Sequence, residues 1–307
     1  MSIFSIIFPL VFIVTAGFIS TKSQFLEQQH ITGISKFTFY ISIPAFLFLN
    51  MAQANLHNSV SLNGFLSFYI AVVGVFIIGA LIDRFLITKH SDYQRHSVFA
   101  LGSSYSNTVL VGLPIIIAAI GREMIGIVFM IITFHSALLF TLTFLVSAKS
   151  EKSAFSWQQF AKNMLLNPVV LSISLGLLAN VLGLTLPLDI INGLNLLSQP
   201  AIGCALFVLG ANLAFYKISQ NWQPALIATL LKLVLLPCLV LLLGRFVFML
   251  EAQLLNVLIL LSASPLGVNA YLIANQIKQH QATLASTVVM STVLSGISFS
   301  IWLCLLL

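Results

Sequence analysis

The chain has 307 residues, 59% of them hydrophobic and only 7% charged, with 13 Lys+Arg against 7 Asp+Glu. A soluble domain carries about 25% charged residues, so this composition excludes a water-soluble globule, and the high hydrophobicity excludes a disordered chain. A spanning helix needs roughly 20 apolar residues, which makes the bilayer the natural ruler here.

Apolar runs broken by polar punctuation predict ten spanning helices, near 4–20, 37–53, 64–86, 96–120, 123–147, 164–183, 191–214, 223–248, 253–277 and 282–306. The runs are continuous rather than alternating in segments of about ten residues, which argues against barrel strands. No Lys or Arg precedes the first run, and it lacks a small-residue cleavage site, so no cleavable signal peptide is expected. Cys204, Cys238 and Cys304 sit in apolar runs without CxxC or Cys/His spacing, so small buried side chains are expected rather than a disulfide frame or metal site.

The basic residues sort by side. With the first span starting outside, the inner loops and span ends hold Lys22, Lys36, Arg84, Lys89, Arg95, Lys149, Lys152, Lys162, Lys217 and Lys278. The outer side holds Arg122 and Arg245, and Lys232 lies within a span. Ten against two is a positive-inside bias, which predicts a multi-pass protein with both termini outside. Because these charges are scattered through loops, no nucleic-acid partner is expected, and lipid is the surrounding partner.

The punctuation recurs in the two halves. Pro9 with Gly17 matches Pro168 with Gly176; SIPAFLFLNMAQANL (42–56) matches SQPAIGCALFVLGANL (198–213); Arg84-Phe85 matches Arg245-Phe246; Pro114 matches Pro265. The offsets are 159, 156, 161 and 151 residues. Five spans per half is odd, so the second half enters the membrane upside down, the inverted-repeat architecture of secondary transporters. The predicted fold is therefore all-α: a first repeat over 1–147, a connecting loop over 148–163 and a second repeat over 164–307.

The fourth span carries Ser106, Asn107, Thr108, Gly112 and Pro114 in its middle, and the ninth carries Ser264, Pro265, Gly267, Asn269 and Tyr271. Proline removes a backbone donor, and lipid offers no replacement for the groups it frees. Breaks at matching places in both halves point to a transport site, where half-helix ends and asparagine amides can face an anion. Asn107, Pro114, Pro265 and Asn269 are the expected centre, with Ser106, Thr108 and Tyr271 beside them.

Two further residues have open roles. Lys232 lies near the midplane, where a charge costs at least about 2.5–3.5 kcal/mol; it is either a counter-charge for an anion or a side chain snorkelling to the interface. His135 is mid-span in the fifth helix and either exchanges a proton or is a neutral hydrogen-bonded ring. Asn50, Gln53, Gln199 and Asn212 on the second and seventh spans are expected to pack or bridge helices. No Asp or Glu lies at a span centre, so no carboxylate-based ion relay is expected; no cofactor is implied, and coupling to H+ or Na+ stays open.

SNTVLVGLP (106–114) resembles the Asn-Thr-…-Gly-Leu-Pro motif of the auxin efflux carrier family, which includes bacterial malonate-permease-like proteins and plant PIN-FORMED carriers. SPLGVNAYLIANQ (264–276) is similar to that family's second crossover, and FTFYISIPAFLF (37–48) to its second span. Val109 and Val111 depart from the usual pattern, and the long central hydrophilic loop of the larger plant carriers is absent. The resemblance implies a scaffold of spans 1, 2, 6 and 7, a transport domain of spans 3–5 and 8–10, helices 4 and 9 crossing at their prolines, a homodimer and an elevator movement. The combined expectation is a secondary carrier of a small organic anion, a mono- or dicarboxylate, and not an enzyme. The alternatives are an anion channel or facilitator, or a membrane sensory domain with a separate output partner.

Overall fold

A backbone in lipid must satisfy its own polar groups, and this chain does so with helices. The computed structural model describes residues 3–54, 61–89, 91–121, 124–148, 166–216 and 222–306, with isolated positions at 158 and 162. Most of the connecting loop 148–163, part of the predicted outer loop 52–63, and Arg122, Lys149, Lys152 and Lys217 lie outside the described residues.

In chain order the helices are α1 (Ile3–Lys22), α2 (Gln28–Phe37), α3 (Ile43–Ala52), α4 (Leu62–Ile82), α5 (Tyr93–Ser104), α6 (Leu113–Ala119), α7 (Ile125–Ser147) and α8 (Pro168–Val181). They continue as α9 (Leu188–Ser198), α10 (Ala201–Leu213), α11 (Gln223–Leu230), α12 (Leu236–Leu242), α13 (Ala252–Ser262), α14 (Val268–Ile277) and α15 (Gln281–Leu306). Wider π-turns join or extend several of them, at Thr38–Ser42, Asp83–Ile87, Thr108–Gly112, Leu231–Leu235 and Leu243–Val247. Among the described residues, six continuous rods are long and apolar enough to cross a membrane: Gln28–Ala52, Leu62–Ile87, Ile125–Ser147, Leu188–Leu213, Gln223–Val247 and Gln281–Leu306. Shorter apolar helices accompany them. Among the described residues there is no strand, only an isolated antiparallel bridge between Ser106 and Leu266.

The second rod starts at Gln28, well before the predicted 37. Its opening turns, QQHITGISKF, are too polar for a hydropathy reading, but Glu27 and His30 form a reciprocal cap that starts the helix there. The three cysteines are free and only partly buried or exposed rather than core residues.

Packing follows the small residues. α1 lies along α10, and α8 along α3. At the first contact a side chain on Gly17 would sit 2.0 Å from the Phe207 carbonyl oxygen, and one on Gly210 1.8 Å from that of Val14. At the second, a side chain on Gly176 would sit 2.7 Å from the Phe48 carbonyl oxygen. Only glycine lets backbones approach this closely. Asn180 of α8 then donates to the Met51, Ala52 and Ala54 carbonyls, closing the free end of α3. Phe68, Phe99 and Phe129, all fully buried, fill the core between α4, α5 and α7.

Candidate substrate site at the crossing of two broken helices

α5 stops at Ser104, and α13 stops at Ser262. Between α5 and the next π-turn the chain leaves the helix over Tyr105, Ser106 and Asn107; between α13 and α14 a turn at Ala263 and Ser264 leads through Pro265 to Leu266 and Gly267. The two breaks meet. Asn107 N–H donates to the Pro265 carbonyl at 2.8 Å. Ser106 N–H donates to His135 Nε2 at 2.9 Å, and Leu266 N–H to Ser291 Oγ at 3.0 Å. Asn107 Oδ1 accepts from Leu110 N–H at 3.2 Å, capping the π-turn that restarts the helix. Backbone donors that a membrane cannot solvate are thus met by side chains of α7 and α15.

Three buried atoms at this crossing have no hydrogen-bond partner among the described residues: Asn107 Nδ2, Ser106 Oγ and His135 Nδ1. Orphaned polar atoms are costly, at about 1–3 kcal/mol each, and native proteins rarely keep them without use. Ser106 and Asn107 also line a cavity of about 460 Å3, within the usual range for small-molecule sites. Thr108, Val109, Leu110, Gly267 and Asn269 line it from the crossing, and Gln28, Thr32, Ser35, Lys36, Phe39 and Tyr40 from the second rod. Asn167, Leu209 and Asn212 close the remaining side. Among the described residues, Lys36 is the one side chain with a permanent charge in this lining, and no Asp or Glu contributes to it.

The crossing therefore brings together Ser106, Asn107, Thr108 and Asn269 of the residues singled out in the sequence. Pro265 is at the crossing through its carbonyl. Pro114 is not: the break falls at residues 105–107, and Pro114 sits within the helix Thr108–Ala119 that restarts after it, just beyond the π-turn. Tyr271 is turned away onto Tyr216, ring centroids 5.2 Å apart and edge to face. Burial, and then the Tyr271 phenol beside it, pushes the Tyr216 phenol up to about 12, so Tyr216 stays a protonated packing partner at neutral pH.

His135 is buried and accepts through Nε2, which makes it a neutral ring carrying its proton on Nδ1. Lys232 has no exposed surface and does not line the cavity; its ammonium donates to the Ser262 carbonyl at 2.5 Å. A side-chain donor on the last carbonyls of a broken helix meets a group that lipid cannot satisfy, and its full burial speaks against snorkelling to the interface. Lys232→Gln is expected to lower stability by about 1–3 kcal/mol, read as thermal unfolding in detergent. Unchanged melting with collapsed anion affinity would return Lys232 to the counter-charge role.

Sequence reasoning missed Tyr105 and Lys36. The Tyr105 hydroxyl is 2.7 Å from Ser136 Oγ and 3.4 Å from Asn269 Nδ2, and its ring stacks on Phe140 at 5.2 Å. It lies inside the polar stretch GSSYSN, which was the available signal. Lys36 had been counted only for topology.

Residues 2–303 match the family model described as Membrane transport protein. The chain is 23% identical over 298 residues to the "Putative malonate transporter" of Rhizobium meliloti (strain 1021), covering 94% of this chain and 91% of that protein. It is 24% identical over 338 aligned positions to the Auxin efflux carrier component 8 of Arabidopsis thaliana, covering 92% and 91%. It is also 26% identical over 244 residues to the Lysosomal cholesterol signaling protein of Mus musculus, of which it spans only 28%. Long apolar rods, paired helix breaks over a cavity and this family match lead to one conclusion: the chain is a multi-pass membrane protein that belongs to the auxin efflux carrier family of membrane transport proteins, which are transporters and not enzymes.

Proposed function

We propose that this protein is a secondary carrier of a small organic anion, a mono- or dicarboxylate, bound at the crossing. The observation that carries this reading is the nine-tenths-buried Asn107 amide, unpaired among the described residues, in the wall of a cavity that holds Lys36 and, among the described residues, no acidic side chain. Amide and hydroxyl donors replace part of a carboxylate's hydration without a deep fixed charge, so the ligand can leave again. The relative named for malonate, a dicarboxylate, supports the same class.

Two inverted repeats account for the architecture. The Gly17–Phe207 and Gly176–Phe48 contacts are related by the same 159-residue displacement, and the π-turns Asp83–Ile87 and Leu243–Val247 by 160. In this reading α1–α3 and α8–α10 form a scaffold, and α4–α7 with α11–α15 form the moving transport domain of an elevator. The cavity lies between them, with Lys36 and Asn212 on the scaffold side and Asn107 on the moving side, so sliding exposes the site alternately. α9 has no buried residue and exposes Leu188, Ile190, Leu196 and Leu197, an outer face suited to lipid or to the second scaffold of a homodimer. The positive-inside count supports both termini lying outside, in what this reading takes as a bacterial inner membrane.

Counterflow in proteoliposomes tests the proposal: an unlabelled carboxylate inside should accelerate uptake of labelled carboxylate outside. Flux without such trans-stimulation would make the protein a channel, and binding of neutral ligands while carboxylates fail would overturn the anion class. Lys36→Gln is expected to weaken carboxylate binding only about two- to fivefold, because the side chain is exposed to solvent. The difference should shrink as salt is raised.

A further inference from the structure

Asp83 opens the π-turn at the end of the α4 rod and has no exposed surface, so its carboxylate must be met wholly by protein. Oδ2 lies 2.7 Å from His96 Nδ1, Oδ1 lies 2.9 Å from His280 Nε2, and the Thr88 hydroxyl lies 3.0 and 2.9 Å from the two oxygens. Both imidazoles are almost fully covered, at 4% and 2% side-chain exposure. The cluster joins three elements: the end of α4, the first turn of α5 and the linker between α14 and α15.

The two rings are not equivalent. His96 Nε2 accepts the Asp92 backbone N–H at 3.0 Å, so this ring is held neutral with its one proton on Nδ1, given to Asp83. His280 has a freer choice. Its Nδ1 faces the Thr283 hydroxyl at 3.2 Å, which can donate or accept. A proton added at Nδ1 is taken up by rotating that hydroxyl, and the Nε2–H bond to Asp83 remains. Arg95 Nε lies 3.3 Å from the same Nε2, a contact that is a hydrogen bond only when Nε2 carries no proton.

His280 is also held at φ 47° and Lys278 at φ 62°. Left-handed backbone at two non-glycine residues of one short linker persists only where the surroundings hold it. Here the anchors are Asp83 and Phe99, whose ring centroid is 5.5 Å from that of His280.

The position gives the cluster its use. α5 starts here and ends at the crossing; α14 starts at the crossing and ends here. At 1.5 Å per residue, these half-helices run about 18 and 15 Å from the crossing, pinned together at their far ends.

We propose that Asp83, His96 and His280 form a proton-binding clamp through which pH regulates the crossing site. His280 takes the proton and His96 is the fixed neutral donor. An imidazolium makes an ion pair with Asp83 where a neutral ring makes a single hydrogen bond, so acid tightens the clamp and alkali loosens it. The charged groups on the surrounding elements are Arg84 and Lys89 around the π-turn, Asp92 and Arg95 on α5, Lys232 and Lys278. Asp92 caps α5 and Lys232 is bonded to Ser262; among the described residues Arg95 is the cation recorded in hydrogen-bond reach of the cluster.

The clamp rests on the proposed site only for what it acts upon, so its test has two arms. Hydrogen–deuterium exchange of segments 92–99 and 278–284 is followed in the purified full-length protein between about pH 5.5 and 8, where imidazole titrates, corrected for intrinsic exchange. Acidification should slow exchange by about five- to tenfold, His280→Gln should flatten that response, and His96→Asn should keep it. Arg95→Gln should move its midpoint toward higher pH, a second reading should His280→Gln not fold. A flat wild-type response, or one that survives His280→Gln, overturns the clamp. In the second arm, malonate and acetate affinities are measured over the same range. Affinity that follows exchange supports regulation of the site, and affinity indifferent to pH while exchange responds overturns it. Failure of both carboxylates at every pH, with exchange responding, would overturn the anion reading and leave the clamp standing.

Discussion

Asn107→Asp is expected to weaken carboxylate binding by about a hundredfold or more while leaving the protein folded. The two side chains have the same shape, and the aspartate keeps an oxygen where Asn107 Oδ1 accepts from Leu110 N–H, so the π-turn keeps its cap. What changes is the other atom. The unpaired Nδ2 donor becomes a second oxygen facing the cavity. Losing a hydrogen bond to a charged ligand costs about 1.5–3 kcal/mol, and a carboxylate facing a carboxylate adds repulsion to that. Titration calorimetry with the identified substrate, beside circular dichroism and melting of the same sample, reads both halves of the expectation. A folded variant whose affinity stays within threefold of wild type would remove Asn107 from the site. Asn107→Ala is a poorer experiment because it removes the cap as well.

The second large effect is on assembly. Gly210→Ala should destabilise the protein by about 3 kcal/mol or more, at the upper end of overpacking costs. Its new methyl group would lie 1.8 Å from the Val14 carbonyl oxygen, a backbone atom that cannot swing aside, so α1 and α10 must separate along their contact. Gly203→Ala, on the same helix, meets nothing within 4 Å and should be neutral or stabilising by about 0.5–1 kcal/mol. Thermal unfolding of the two variants in one detergent separates the explanations. Equal melting temperatures would mean that α1 and α10 do not need this closeness.

Much of the fold could be read from residues because the bilayer imposes a length on every apolar run. The rods at Leu62–Ile87, Ile125–Ser147 and Gln281–Leu306 start and stop within two residues of the predicted spans. The second rod did not follow, since its polar start is held by the Glu27–His30 cap and Gln28 borders the cavity, not lipid. The existence of paired helix breaks was also legible, but the position of the first was not. Proline marks where a backbone donor is missing, but Pro114 lies within the helix Thr108–Ala119 that restarts after the break, and the break itself falls at the residues whose groups bond across to Pro265. Lys232 was visible as an anomaly, yet its partner is a carbonyl of Ser262, and no side-chain pattern announces which carbonyls a broken helix leaves open. Asp83, His96 and His280 looked like unrelated polar residues near span ends, because nothing in the linear order places position 280 beside position 83. The seven lining residues of α2 and its π-turn belong to the same class: a cavity is a property of neighbours in space.

The single bridge at the crossing also has a consequence for how the chain is made. Ser106 N–H finds His135 within the first half of the chain, but Asn107 N–H depends on Pro265, which is synthesised 158 residues later. At roughly 5–20 residues per second, that is a delay of about 8–30 s. Throughout it the nascent first half must keep an unpaired amide in the membrane or hold residues 105–107 in some other bonding until the ninth span arrives. Chains arrested before Pro265 should therefore show the α5–α6 segment open to water or to the insertion machinery, and completion of the ninth span should close it.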